Sequence, residues 1–151
     1  MLAFRIHDTK ILMAHLLKGD VFDHFTVRQV EVFSFASFSI NGMKEESYLS
    51  QEDPEPYCLW SDLKPIVFQF VKGKTLPKSI KIVLSLPKAK TEVYPNAKAV
   101  FLNFLFRDGS LLCTTSVAEE TFSLTQNTTK QWDEDILQFF KDTQIAIQIE
   151  T

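Results

Sequence analysis

The sequence has 151 residues, 45% of them hydrophobic and 14 of them Phe, which is enough to bury the core of one domain. A formal net charge of −3 argues against a protein that coats nucleic acid, and two cysteines are too few for a disulfide scaffold. Because Arg5 and Lys10 break the apolar run at the start, we expect no signal peptide or membrane span and a cytoplasmic location.

The first element is predicted to be a strand at residues 2–6, where apolar side chains alternate with Ala3 and Arg5. Asp8 or Thr9 is suited to cap a helix that follows at once and stops at Gly19. The apolar stripe of this helix is formed by Leu12, Met13, Leu16 and Leu17.

A long aromatic stretch at residues 27–40 comes next and is predicted to be extended. It exceeds the usual length of a strand, so we expect a bend near residues 34–37. Asn41 and Gly42 then predict a two-residue hairpin turn, which leads into a short polar strand at residues 45–49.

The centre of the chain predicts a strand–helix–strand unit, with strands at residues 57–60 and 80–86. Its helix shows the clearest helical period of the sequence, formed by Leu63, Ile66, Val67, Phe70 and Val71. Pro65 fits the first turn if Asp62 is the cap, and Gly73 ends the helix.

The part that follows predicts a meander of antiparallel strands. Residues 99–106 and 111–116 are strongly apolar, and residues 107–110 join them as a tight hairpin turn. A shorter strand is expected at residues 120–124.

The chain ends on a third helix and a last strand at residues 145–149. Thr128 and Gln131 match a capping box, which predicts the start of this helix. Its apolar stripe is formed by Trp132, Ile136, Phe139 and Phe140.

Together these elements predict a single α+β domain over residues 1–151, with antiparallel sheet and helices on one side. Two β-α-β-β-β units are expected at roughly residues 1–49 and 57–124, followed by a terminal helix and strand at 128–150. We expect the core to include Phe4, Leu16, Val67, Phe70, Ile82, Leu84, Phe104, Ile136 and Phe140.

This order of elements resembles that of DNA sliding-clamp domains. The resemblance lies in residues 1–6 and the helix that follows, in residues 62–72 and 80–86, and in residues 121–124. It implies curved antiparallel sheets with helices on one face, edge-to-edge assembly and association with DNA. The chain carries one such domain, where clamp subunits carry two or three. It also resembles a small uncharacterised bacterial family to which no activity is attached.

Charge is distributed unevenly over the predicted helices. The first two carry an excess of lysines, whereas the third carries an excess of acids. A surface that meets phosphates needs such cations, although lysines near a helix C-terminus also suit the helix dipole. The candidate nucleic-acid-binding residues are Lys10, Lys18, Lys64, Lys72 and Lys74.

No residue pattern predicts a catalytic, cofactor or metal site. His7, His15 and His24 lack the i, i+4 spacing of a helical zinc pair, and Cys58 has no basic neighbour that would activate a thiol. Trp60, beside an acidic, proline-flanked loop, is expected to pack on its own helix or to form the wall of a ligand groove.

The sequence therefore predicts a non-enzymatic binding or scaffold protein, in its sharper form a clamp-like module associated with DNA. Its partner is expected to be DNA, bound weakly and without sequence preference, or another protein, and a homodimer is expected through a sheet edge. The alternative is an enzyme or small-ligand-binding protein whose pocket the sequence does not reveal.

Overall fold

The computed structural model describes residues 1–73 and 75–150 and contains one seven-stranded antiparallel sheet. The strands are β1 (Ala3–Ile6), β2 (Thr26–Phe33), β3 (Ser37–Asn41), β4 (Ser79–Ser85), β5 (Ala97–Arg107), β6 (Ser110–Glu119) and β7 (Ile147–Ile149). The helices are α1 (Thr9–Leu17), α2 (Trp60–Val71), α3 (Lys88–Thr91) and α4 (Asn127–Asp142).

The strands lie in the order β3-β2-β4-β5-β6-β1-β7, and every pair is antiparallel. The registers place one side chain from each strand in a row across the sheet. This row is formed by Ile40, Val30, Ile82, Phe104, Cys113, Phe4 and Ile149. Its five central members are almost completely buried, so one face of the sheet carries the core.

The longer helices pack on this face. The ring of Phe140 in α4 lies 5.0 Å from that of Phe4, and the ring of Phe70 in α2 stacks 4.3 Å from that of Phe38 in β3. Phe22, after α1, contacts Phe104 at 5.4 Å. The α+β prediction is confirmed. The opposite face of the sheet, on which Gln29, Glu31 and Phe33 of β2 lie, is called the open face.

Eight of the nine predicted core residues are buried. The exception is Phe70, which is half-buried because Phe38, its stacking partner, lies on edge strand β3. The predicted core residues on β1, β4 and β5, which are Phe4, Ile82, Leu84 and Phe104, all lie on the buried face of the sheet.

The predicted repeat of two β-α-β-β-β units is not seen. Residues Glu46–Tyr48 form a 3₁₀ turn in place of the short polar strand. Tyr57 and Leu59 make isolated bridges to Met43 and Thr26 in place of a full strand. Residues 120–124 lie outside the strands, with Glu119 the last residue of β6. The first unit therefore lacks its last strand and the second lacks its first.

Two helix starts also differ from the predictions. Helix α2 begins at Trp60 with Leu59 as cap, so Pro65 lies inside the helix and Asp62 in its first turn. Helix α4 begins at Asn127, where Thr128 donates its hydroxyl to the Pro95 carbonyl oxygen in place of capping its own helix. In both places a tertiary contact fixes the helix start.

Of the two predicted hairpin turns, the one at residues 107–110 is confirmed and the one at Asn41 and Gly42 is wrong. Asp108 and Gly109 adopt φ values of 54° and 74°, which is the geometry of a tight hairpin turn between β5 and β6. Asn41 and Gly42 form no hairpin, and the Gly42 amide donates to the Arg28 carbonyl oxygen at 3.0 Å. Gly42 is needed there for close approach, because a Cβ would lie 1.8 Å from the Val27 carbonyl oxygen.

The stability of this fold is expected to depend on the protonation of His24. Its imidazole is half-buried between Phe25 and Phe139, and burial, aided by the charge of Lys90, lowers its pKa below 6.5 against the opposing effect of Asp23. The unfolded chain then binds the proton first, so the free energy of unfolding should fall as the pH drops through 6.5 towards the lowered pKa of the folded protein.

Urea melts across this pH range measure the effect. His24→Gln should flatten the profile, and His7→Gln, at an exposed position, serves as the matched control. A profile that His24→Gln leaves unchanged would contradict the prediction.

Candidate functional site

Lys64, one of the predicted DNA-binding residues, is engaged within the protein. Its ammonium donates to the Asp23 carboxylate at 2.7 Å and to the Gly19 carbonyl oxygen at 2.8 Å. The side chain is only 14% exposed. Lys64 therefore joins α2 to the segment after α1 and offers little to an external phosphate.

The other predicted lysines that the structure describes lie on the surface. Lys10, Lys18 and Lys72 are exposed, and the last two lie over the ring of Phe68 at 5.6 and 5.9 Å. Lys74 lies outside the described residues. The fold thus brings Lys18 and Lys72 to one aromatic ring, whereas Lys64 is engaged within the protein.

Trp60 does not line a groove. It is 0% exposed, and its indole N–H donates to the Leu16 carbonyl oxygen at 2.7 Å. Its backbone amide donates to the Phe25 carbonyl oxygen at 2.9 Å. Trp60 is therefore a core residue that ties the start of α2 to the last turn of α1, and not the wall of a groove.

The structure instead forms a site around Arg28, which is not among the binding residues that the sequence predicts. Arg28 lies at a β-bulge, where the register of β2 with β4 shifts between Val27 and Gln29. A bulge re-aims side chains out of strict alternation. Arg28 consequently reaches Ser85 and Phe101, which are partners in the β4–β5 ladder.

The guanidinium of Arg28 is held in place from three sides. Its Nε–H donates to Ser85 Oγ at 3.0 Å, and Ser85 is itself bonded to the Thr26 hydroxyl at 2.7 Å. The guanidinium carbon lies 3.7 Å from the centroid of the Tyr57 ring and 5.2 Å from that of Phe101. These contacts fix a planar cation in one orientation.

Tyr57 is positioned by the segment that crosses the end of the sheet. The Cys58 amide donates to the Gly42 carbonyl oxygen at 2.8 Å, and the Val27 amide donates to the Cys58 carbonyl oxygen at 2.9 Å. Because Gly42 also bonds to Arg28, the backbone that carries the ring and the backbone that carries the cation are joined directly.

Two cavities of about 490 and 470 Å³ flank the stacked pair of Arg28 and Tyr57, and both are also lined by Phe101. The first carries amide and hydroxyl groups, from Gln29, Ser39 and Asn41. The second adds Glu55, Lys88, Lys98 and Glu120. Both are surface depressions open to solvent. We name this pair of cavities the Arg28 cleft.

The Arg28 cleft offers an anion a free fork of donors. Among residues 1–73 and 75–150, Nε is the one guanidinium nitrogen with a hydrogen bond, and no carboxylate lies within 4.0 Å of Arg28. The two Nη groups are therefore free to bind a carboxylate or a phosphate in the bidentate manner that suits arginine.

The groups with shifted pKa values lie elsewhere. Burial raises the pKa of the Cys113 thiol in the core, and burial together with the Asp135 hydrogen bond raises that of the Tyr94 hydroxyl. Neither residue lines the Arg28 cleft. Among residues 1–73 and 75–150, no three His, Cys, Asp or Glu side chains group to hold a metal ion.

A signal for the bulge was present in the sequence. Val27 and Val30 are three residues apart, whereas Val30 and Val32 keep the spacing of two that a regular strand requires. The additional residue between Val27 and Val30 indicates a bulge at Arg28 and Gln29. The sequence gives no local sign that Tyr57 stacks on this arginine, because the two residues meet only through the fold.

No helix in the described part of the chain is long and apolar enough to cross a membrane. Comparison with curated proteins finds no match, and neither does comparison with solved structures. The model of a family of unknown function, DUF5721, matches residues 15–148. That match spans most of the sequence, including the strands and loops that form the Arg28 cleft. The chain therefore belongs to the DUF5721 family.

Proposed function

We propose that this protein is a non-enzymatic binding module that takes an anionic group in the Arg28 cleft. The observation that carries the proposal is the guanidinium held 3.7 Å from the Tyr57 ring and bonded at 3.0 Å to Ser85. An arginine fixed in this way loses little conformational entropy when it binds, which favours a bidentate ligand. The ligand class is a carboxylate or a phosphate.

The enzyme alternative would have to use Glu55 or Glu120, the carboxylates of the second cavity. Glu55 accepts a hydrogen bond from the Lys88 backbone amide at 2.8 Å, which is a structural role at the start of α3. Arg28 itself keeps its proton at all ordinary pH values and cannot act as a general acid or base. These features favour binding over proton transfer.

DNA association through the helices is the second candidate, and Lys10, Lys18 and Lys72 remain exposed for it. Homodimer formation also stays a prediction. It is supported by the strand order, which leaves β3 and β7 as the two edges of an open sheet. Sedimentation velocity over a range of protein concentrations measures whether the homodimer forms.

Anion binding is tested with two simple probes, inorganic pyrophosphate and citrate. We expect either or both to raise the thermal unfolding midpoint of the native protein, because a ligand that binds only the folded state stabilises it. Arg28→Gln should weaken binding at least about tenfold, measured by calorimetric titration, because a charge-assisted bidentate contact is lost. Arg28→Lys should restore only part of the affinity, since lysine lacks the planar fork.

Lys141→Gln is the matched control, because it removes an exposed cation on α4 that lines neither cavity of the cleft. Far-UV circular dichroism of every variant checks that the fold is intact. Equal binding by the native protein and Arg28→Gln, or no binding of either probe, would contradict the proposal.

A further inference from the structure

The Arg28 cleft continues along the open face of the sheet. The first cavity shares Ser39 with a third one, of about 300 Å³, whose lining includes Glu31, Phe33, Lys81 and Arg107. The two cavities follow β2 from Gln29 to Phe33, a distance of about 13 Å at the rise of a strand. We name this combined depression the open-face groove.

Its charge opposes that of the chain. The groove carries three cations, Arg28, Lys81 and Arg107, against one carboxylate, Glu31, a net of +2. The chain as a whole carries −3. Glu31 lies directly opposite Lys81 in the β2–β4 ladder and accepts a hydrogen bond from the Gln29 side chain at 2.7 Å. Neither Arg28 nor Arg107 has a carboxylate partner within 4.0 Å among the described residues.

Flat π surfaces accompany the cations at both ends of the groove. Tyr57 and Phe101 lie beside Arg28, and Phe33 is 51% exposed at the end where Lys81 and Arg107 lie. Between them the lining includes hydroxyl and amide side chains that both donate and accept hydrogen bonds, beside apolar residues such as Met43 and Leu105. The hydroxyl and amide side chains are Gln29, Ser37, Ser39, Asn41 and Ser79.

We propose that the open-face groove binds single-stranded nucleic acid, with phosphates on Arg28, Lys81 and Arg107 and bases against the aromatic rings. This inference rests on the proposed anion site at Arg28 and names its ligand class. Cations that follow a groove, together with exposed rings on which bases stack, are the features that such binding requires. An acidic peptide would also satisfy the cations, but it does not present a planar base to each ring as a single strand does.

The test is fluorescence anisotropy with labelled oligo-dT and oligo-U of about ten nucleotides, which separates DNA from RNA as the source of the strand. The native protein should bind at least one of them, with a slope of log K against log salt of about −2, as three phosphate contacts predict. Lys81→Glu combined with Arg107→Glu should lower the affinity at least tenfold. The same charge change on α4, Lys130→Glu with Lys141→Glu, should have no effect.

Three results would overturn the inference. The first is no binding of either strand, and the second is equal binding of an oligo-glutamate peptide. The third is a loss of binding when Lys10, Lys18 and Lys72 are changed together to Glu, with binding retained in the Lys81→Glu, Arg107→Glu variant. That result would place the nucleic acid on the helices. Because Lys81 and Arg107 do not line the Arg28 cleft, their variant should still bind pyrophosphate or citrate. If neither oligonucleotide binds and pyrophosphate or citrate still does, the nucleic-acid inference is rejected and the proposed anion site at Arg28 stands.

Discussion

Trp60→Ala is expected to lower the free energy of unfolding by about 3–5 kcal/mol, the range for removing a large aromatic side chain from a core. The indole is 0% exposed, so truncation leaves a cavity between helices and sheet. It also removes the hydrogen bond to the Leu16 carbonyl oxygen, which lies in the last turn of α1. Urea denaturation followed by circular dichroism measures the change.

Trp60→Phe separates the two effects. Phenylalanine keeps most of the buried ring and cannot donate to Leu16, so its cost should be about 1–3 kcal/mol, the penalty of an unsatisfied buried carbonyl. A cost below about 1 kcal/mol for Trp60→Ala would mean that Trp60 is accessible and would revive its interpretation as a groove wall.

Gly42→Ala is the second large effect. The added Cβ would lie 1.8 Å from the Val27 carbonyl oxygen and 2.7 Å from its carbonyl carbon, and both are backbone atoms in the sheet. The backbone must therefore move, and we expect a loss of about 3 kcal/mol, at the upper end of the cost of overpacking. Thermal melts and urea melts of the variant measure this loss.

The same substitution should damage the Arg28 cleft. Gly42 bonds to the backbone of both Arg28 and Cys58, so a displaced Gly42 moves the Tyr57 ring away from the guanidinium. Binding of pyrophosphate or citrate should weaken even where the variant is still folded. Gly109→Asn is the matched control, because its turn position has φ of 74°, open space around it and no link to the cleft. Gly42→Ala with native stability would contradict the close approach.

Several local features were determined by the sequence itself. Asp8 caps α1 through its carboxylate, which accepts from the Lys10 and Ile11 amides, as a cap directly before an apolar stripe predicts. The turn at Asp108 and Gly109 and the bend between β2 and β3 follow from turn residues and from the length limit of strands. These features depend on residues within a few positions of one another, so their signals are visible in the chain.

The tertiary structure decided the rest. The sequence predicts Lys64 as a phosphate-binding residue. In the fold, however, the carboxylate of Asp23, 41 residues earlier in the chain, lies 2.7 Å from its ammonium. Arg28 meets Tyr57 and Phe101 because a bulge, a crossing segment and the β4–β5 register place three distant parts of the chain together. No periodicity links such positions, since strand pairing and not sequence spacing sets the distances between them. The sequence could thus indicate which residues are buried, whereas only the packed sheet shows which charges are free to bind.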